Sequence, residues 1–95
     1  MAQASAGSNP ALSTMARNHQ NLIKLRNKID AVDRRIVREI KNRLKIAMFV
    51  GVEKKRLGLP ISNPVRETIV LSKIKTKFMK SIFKLIIRES KRIQI

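Results

Sequence analysis

Residues 22–56 read LIKLRNKIDAVDRRIVREIKNRLKIAMFVGVEKKR, a stretch with one dominant periodicity. Its apolar residues Leu22, Leu25, Ile29, Val32, Ile36, Ile40, Ala47 and Val50 recur at threes and fours, the rhythm of a helix with one apolar stripe. One long helix satisfies that rhythm. It is predicted to run to about Arg56, because Gly58 stands where a left-handed C-cap belongs and Pro60 follows it. At 1.5 Å per residue such a helix spans roughly 50 Å, more than a globule of this size encloses. A helix of that length is expected to pack against a partner chain.

Towards the C-terminus, Leu57-Gly-Leu-Pro-Ile-Ser-Asn-Pro64 is a connector, and Asn63-Pro64 supplies an N-cap followed by a proline at the first helical position. A second helix starts there. From Val65 to Ile95 there is neither Gly nor Pro, while Val70, Ile74, Phe78, Ile82, Phe83, Ile86, Ile87 and Ile93 keep a helical rhythm. Thr76 or Ser72 is a candidate cap for a third helix ending at Ile95, and one continuous helix is the alternative. The class is all-α in both cases: a three-helix protomer with one long N-terminal helix, or the same with its second and third helices merged.

Towards the N-terminus, residues 1–20 are rich in Ala, Ser, Asn and Gln, carry one charge (Arg17) and lack the apolar run of a signal peptide. They read as a flexible tail in front of one domain over 21–95. No stretch approaches the roughly 20 apolar residues of a membrane-spanning helix, so a cytoplasmic protein without membrane contact is expected. There is no cysteine and one histidine, His19, which removes disulfides, thiolate chemistry and histidine metal centres; no metal and no cofactor is expected. Residues 21–95 hold 21 basic and six acidic side chains, a net charge of +15. Such a field attracts anions of any size, so nucleic acid, an anionic surface and a small multiply charged metabolite are all admissible partners.

A few residues break the apolar pattern. Arg43 falls in the stripe, seven residues after Ile36 and seven before Val50, and a core-facing arginine needs an anionic partner. Lys54 lies 11 residues further on, about three turns, and projects from nearly the same face. Two cations therefore look onto one pocket, unless Arg43 reaches solvent or pairs with Glu39. Arg26 is 17 residues before Arg43, roughly 25 Å along the axis and about 100° around it. One helix cannot aim both at one small ligand; two long helices running antiparallel across a dimer bring Arg26 of one chain near Arg43 of the other. On the second helix Arg66 and Glu67 occupy the first turns, where Glu67 complements the helix dipole and is also able to accept from a ligand hydroxyl. Ser90 and Gln94, spaced i,i+4, share a face with Phe83 and Ile87.

Together, Leu25-Arg-Asn-Lys-Ile-Asp-Ala-Val-Asp33, Arg43, Gly51-Val-Glu-Lys54, Gly58-Leu-Pro-Ile61, Arg66-Glu67 and Phe83-Lys-Leu-Ile-Ile-Arg-Glu-Ser90 with Gln94 resemble the all-helical chorismate mutases, the AroQ class. The resemblance covers nearly all of 22–95 and rests on the order and spacing of motifs that are individually weak. It implies an intertwined homodimer of three-helix protomers in which each site borrows an arginine from the partner, here Arg26. By the same resemblance, Arg43 and the borrowed Arg26 clamp the two carboxylates of chorismate, with Ser90 also contacting one. Lys54 and Gln94 bond its ether oxygen, Glu67 holds the ring hydroxyl, Asn63 keeps a backbone contact in the connector and Arg66 orients the neighbouring turn. The residues between Glu67 and Phe83 number 15, which implies a short second helix; an unbroken helix would instead leave Gln94 roughly 40 Å from Glu67.

This inventory suits chorismate-to-prephenate chemistry in aromatic amino-acid biosynthesis. The reaction is an intramolecular [3,3] rearrangement, so no proton need move and no covalent intermediate is needed. Arginines match carboxylates bidentately, and a fixed lysine and amide stabilise the charge that builds on the ether oxygen as the bond breaks. The expectation is a homodimeric chorismate mutase without a fused or regulatory domain. Isochorismate pyruvate lyase, whose pocket is built similarly, is the alternative within the fold. A basic nucleic-acid binder is the alternative outside it, supported by Lys73, Lys75, Lys77, Lys80 and Lys84. Nucleic-acid binding is disfavoured because the chain has no Trp or Tyr and three Phe, leaving little for base stacking.

Overall fold

The computed structural model describes the backbone of residues 10–95 and the side chains of residues 19–95. Three helices make up the described chain, α1 (Pro10–Leu57), α2 (Pro64–Ser72) and α3 (Lys77–Arg92), and no strand occurs among the described residues. The all-α class and the three-helix order expected from the sequence are what the structure shows. The described chain falls into two units whose boundary lies within α1, one ending at Val37 and the other comprising Arg38–Ile95.

The first helix begins earlier than its apolar stripe. Of the flexible tail expected over 1–20, residues 1–9 lie outside the described residues and the remainder is helical from Pro10 onward. Proline is favoured in a first helical turn, where its missing N–H costs nothing, and Ala11, Leu12, Met15, Ala16 and Arg17 are strong helix formers. The stripe marks where a helix has an apolar face, and propensity carries the helix beyond it.

At its other end α1 closes as expected. Gly58 takes φ +71°, its N–H donates to the Lys55 carbonyl at 3.3 Å, and the Leu59 N–H donates to the Lys54 carbonyl at 2.8 Å. This pair of bonds is the Schellman arrangement, and only glycine adopts the left-handed position without strain. The following turn is fixed by Asn63, whose side chain accepts from the Arg66 N–H at 3.1 Å while its carbonyl accepts from the Glu67 N–H at 3.0 Å. Pro64 holds the first helical position, as its place after Asn63 predicts.

Between α2 and α3 the structure selects three helices over two. Lys73 and Ile74 donate to the Val70 and Leu71 carbonyls at 3.3 and 3.1 Å, tightening the last turn of α2. Thr76 then goes extended, at φ −101° and ψ 149°, and its hydroxyl accepts from the Met79 N–H at 3.1 Å. Thr76 is thus the cap of α3; Ser72 instead closes α2, its hydroxyl donating to the Ile69 carbonyl at 2.7 Å. α3 ends at Arg92 and not at Ile95, because Ile93 caps it and Gln94 sits in a turn, its N–H donating to the Lys91 carbonyl at 3.2 Å.

Few of the described residues are buried. Among the described residues the core consists of Ala47, Gly51, Ile87 and Ser90, where α1 and α3 meet. The expected stripe is present in sequence but open to solvent: Leu25 is 56 %, Ile29 58 % and Ile36 50 % exposed. Apolar surface on that scale is uncommon for a free chain.

Candidate functional site

The site lies within the Arg38–Ile95 unit, in a cavity of about 300 Å³ between α1, the connector, α2 and α3. Its wall is apolar where Ala47 and Val50 of α1, Val70 of α2 and Ile87 of α3 approach one another. An apolar wall of this kind strengthens a charge interaction made against it once a ligand covers it.

Arg43 enters from α1 and donates through Nη1 to the Ser90 hydroxyl at 2.9 Å. It is not paired with Glu39, which accepts from Asn42 at 3.2 Å. Ser90 is buried, and its own hydroxyl donates to the Ile86 carbonyl at 2.7 Å, so its oxygen is left to accept. The serine anchors the guanidinium without neutralising it, and four of the five N–H donors of Arg43 remain for a ligand.

Lys54 stands three turns further along α1 and is held from two sides. Its ammonium donates to the Ile61 carbonyl at 2.5 Å and to Gln94 Oε1 at 3.0 Å, leaving one N–H unused. The second contact fixes the amide of Gln94: a lysine cannot accept, so Oε1 must face it and the amide NH₂ is the end left to donate elsewhere. Lys54 and Gln94 therefore offer donors only.

Glu67, in the first turn of α2, contributes the one acid of the cavity wall, paired to Lys91 of α3 at 3.1 Å. The pair closes the distance that a continuous helix would have opened between Glu67 and Gln94. Arg66 and Asn63 also line the cavity; Arg66 uses its backbone N–H in the Asn63 cap, and its side chain is exposed. Four cations, Arg43, Lys54, Arg66 and Lys91, thus share the cavity lining with one carboxylate, and Lys91 is the one paired to it. The remaining ion pairs, Glu53–Arg56 and Glu89–Arg92, lie at the surface; in the second, the hydrogen bond from Arg92 holds the Glu89 carboxyl below its ordinary value.

Of the residues singled out from the sequence, Arg43, Lys54, Asn63, Arg66, Glu67, Ser90 and Gln94 come together on this cavity. Arg26 is exposed on α1 and belongs to the other unit. Sequence reasoning missed Lys91 and the Ile61 carbonyl. Lys91 was accessible to periodicity, since Ile87, Ser90, Lys91 and Gln94 fall at i, i+3, i+4 and i+7 on one face of the C-terminal helical pattern. A backbone carbonyl carries no such signal.

Gly51 sits one turn before Lys54 and is buried. Glycine inside a helix costs about 0.5–1 kcal/mol relative to alanine, so its presence there requires a cause. The cause is the closeness of Gln94: a Cβ at position 51 would stand 2.8 Å from Cγ, 2.9 Å from Cβ and 3.1 Å from Cα of that residue. Among the described residues no three His, Asp or Glu side chains gather as metal ligands, and no helix is long and apolar enough to cross a membrane.

The model of the chorismate mutase type II family matches residues 25–95. A curated chorismate mutase from Methanocaldococcus jannaschii is 36 % identical over 56 residues, which is 59 % of this chain and 57 % of that protein. The chain thus spans a little over half the length of that relative. A solved structure of a conserved hypothetical protein from Pyrococcus furiosus is 39 % identical, with a TM-score of 0.73 over 79 % of this chain and 96 % of that one.

Proposed function

The chain belongs to the chorismate mutase type II family, and from that membership we propose that it rearranges chorismate to prephenate in the biosynthesis of phenylalanine and tyrosine. The observation that carries this reading is the donor-only pair Lys54–Gln94 in one cavity with the uncompensated Arg43 and a single acid. A dianion with a hydroxyl and a polarised ether oxygen answers each of those groups.

In this account Arg43 takes one carboxylate, with Ser90 beside it, and Arg26 of a second copy takes the other. Bidentate guanidinium contacts fix the compact conformer in which the two reacting carbons meet, removing much of the entropic cost. Lys54 and the Gln94 NH₂ donate to the ether oxygen. Charge grows on that oxygen as the C–O bond lengthens, so fixed donors hold the transition state more strongly than the ground state. Glu67, steadied by Lys91, accepts from the ring hydroxyl. Asn63 lends backbone contact and Arg66 steadies the turn around it. No proton transfer or covalent intermediate enters the scheme.

The functional unit in this reading is a homodimer. Exposed Leu25, Ile29, Val32 and Ile36 on α1 give a second copy a face to cover, and Arg26 lies in that same stretch. The setting is cytoplasmic. The test is product analysis with purified protein on chorismate and on isochorismate. Prephenate from chorismate is expected; pyruvate from isochorismate with no prephenate from chorismate would assign the lyase activity instead.

A further inference from the structure

We infer that Gly51 is a positioning residue for the reaction, seating Gln94 so that its amide carbonyl meets Lys54. The inference deepens the proposed mutase reading and rests on it for the role of Gln94. Gly51 and Lys54 are on α1 at i and i+3, and Gln94 lies in the turn just past the end of α3. Its N–H is tied to the Lys91 carbonyl at 3.2 Å, and its side chain reaches Lys54 at 3.0 Å.

What fixes the approach of that turn is the surface of α1. With no side chain at position 51, the Gln94 backbone and the first carbons of its side chain lie directly on the helix; any Cβ there meets both chain and side chain within 3.1 Å. Because one of the three close atoms is the Gln94 Cα, rotating the glutamine cannot relieve all of them, and the turn itself must move. The amide then moves away from an ammonium that is independently pinned by Ile61. Gly51 thus sets the depth at which Gln94 sits, and by that the place of the amide NH₂ that faces the reacting ether.

Gly51→Ala separates this role from a merely structural one, because alanine favours the helix itself. The expected result is a folded, helical protein in which kcat on chorismate falls about tenfold or more while KM changes little, the pattern expected when a hydrogen bond made mainly in the transition state is removed. In a Gln94→Ala background the same substitution should lower kcat further by less than about twofold, since no amide remains to be misplaced. A crystal structure of Gly51→Ala should show the Lys54 Nζ to Gln94 Oε1 distance opened beyond hydrogen-bond range. Wild-type kcat with that hydrogen bond kept, or equal reductions in both backgrounds, would overturn the assignment. Should the wild-type chain lack mutase activity, the functional reading falls, and the structure of the variant still decides whether Gly51 seats Gln94.

Discussion

Ser90 shows how a residue of weak sequence signal acquires a role. Its hydroxyl bonds back to Ile86 and so presents its oxygen to Arg43, which fixes the guanidinium by a neutral acceptor. Ser90→Ala is expected to leave folding intact and lower kcat/KM by about tenfold, the order of one hydrogen bond to a charged group, read by steady-state kinetics on chorismate. Arg43→Ala should cost more, about 100-fold or beyond, because it removes a carboxylate partner. At this scale the sequence was informative wherever a charge broke an apolar pattern: Arg43 stood in the stripe, and Lys54 shared its face. It was silent on the Ile61 carbonyl, and it left Glu67 without the Lys91 that pairs with it. Backbone acceptors and cross-helix partners depend on how elements meet, and no local spacing encodes that.

At the scale of elements, the α1 end and the α2 start could be read directly, since Gly58, Asn63 and Pro64 each admit few conformations. The α2–α3 break could not. Lys73-Ile-Lys-Thr76 contains no Gly or Pro, and the turn depends on Thr76 going extended and capping Met79. That cap bears on function, because the turn brings α3 back to set Lys91 against Glu67. Thr76→Ala is expected to destabilise the protein by about 1 kcal/mol, measured by urea denaturation at fixed protein concentration. The helical segment from Pro10 was also beyond the sequence reading, since it has propensity without an apolar stripe.

At the scale of the whole molecule, most of the large apolar side chains among the described residues are exposed and four residues are buried, a small core for one chain. The proposed homodimer through the N-terminal stretch of α1 would cover that surface and bring Arg26 to the site of a second copy. Ile29→Asp, at a 58 % exposed position of the stripe, is expected to shift the protein from dimer to monomer in sedimentation velocity and to abolish activity. An Arg26→Ala chain mixed with an Arg43→Ala chain should regain up to about a quarter of the wild-type activity, since random pairing makes half the dimers mixed and each mixed dimer keeps one intact site of two. No regain, with mixed dimers verified by mass spectrometry, would place Arg26 outside the shared site. Whether positioned cations drive a rearrangement of chorismate is decided by the rate of prephenate formation by the purified protein alongside its Lys54→Ala variant. Rapid turnover by the wild type is expected, with a loss of about 100-fold or more in kcat for a variant that folds normally; equal rates in the two proteins, or no prephenate from the wild type, would overturn that mechanism.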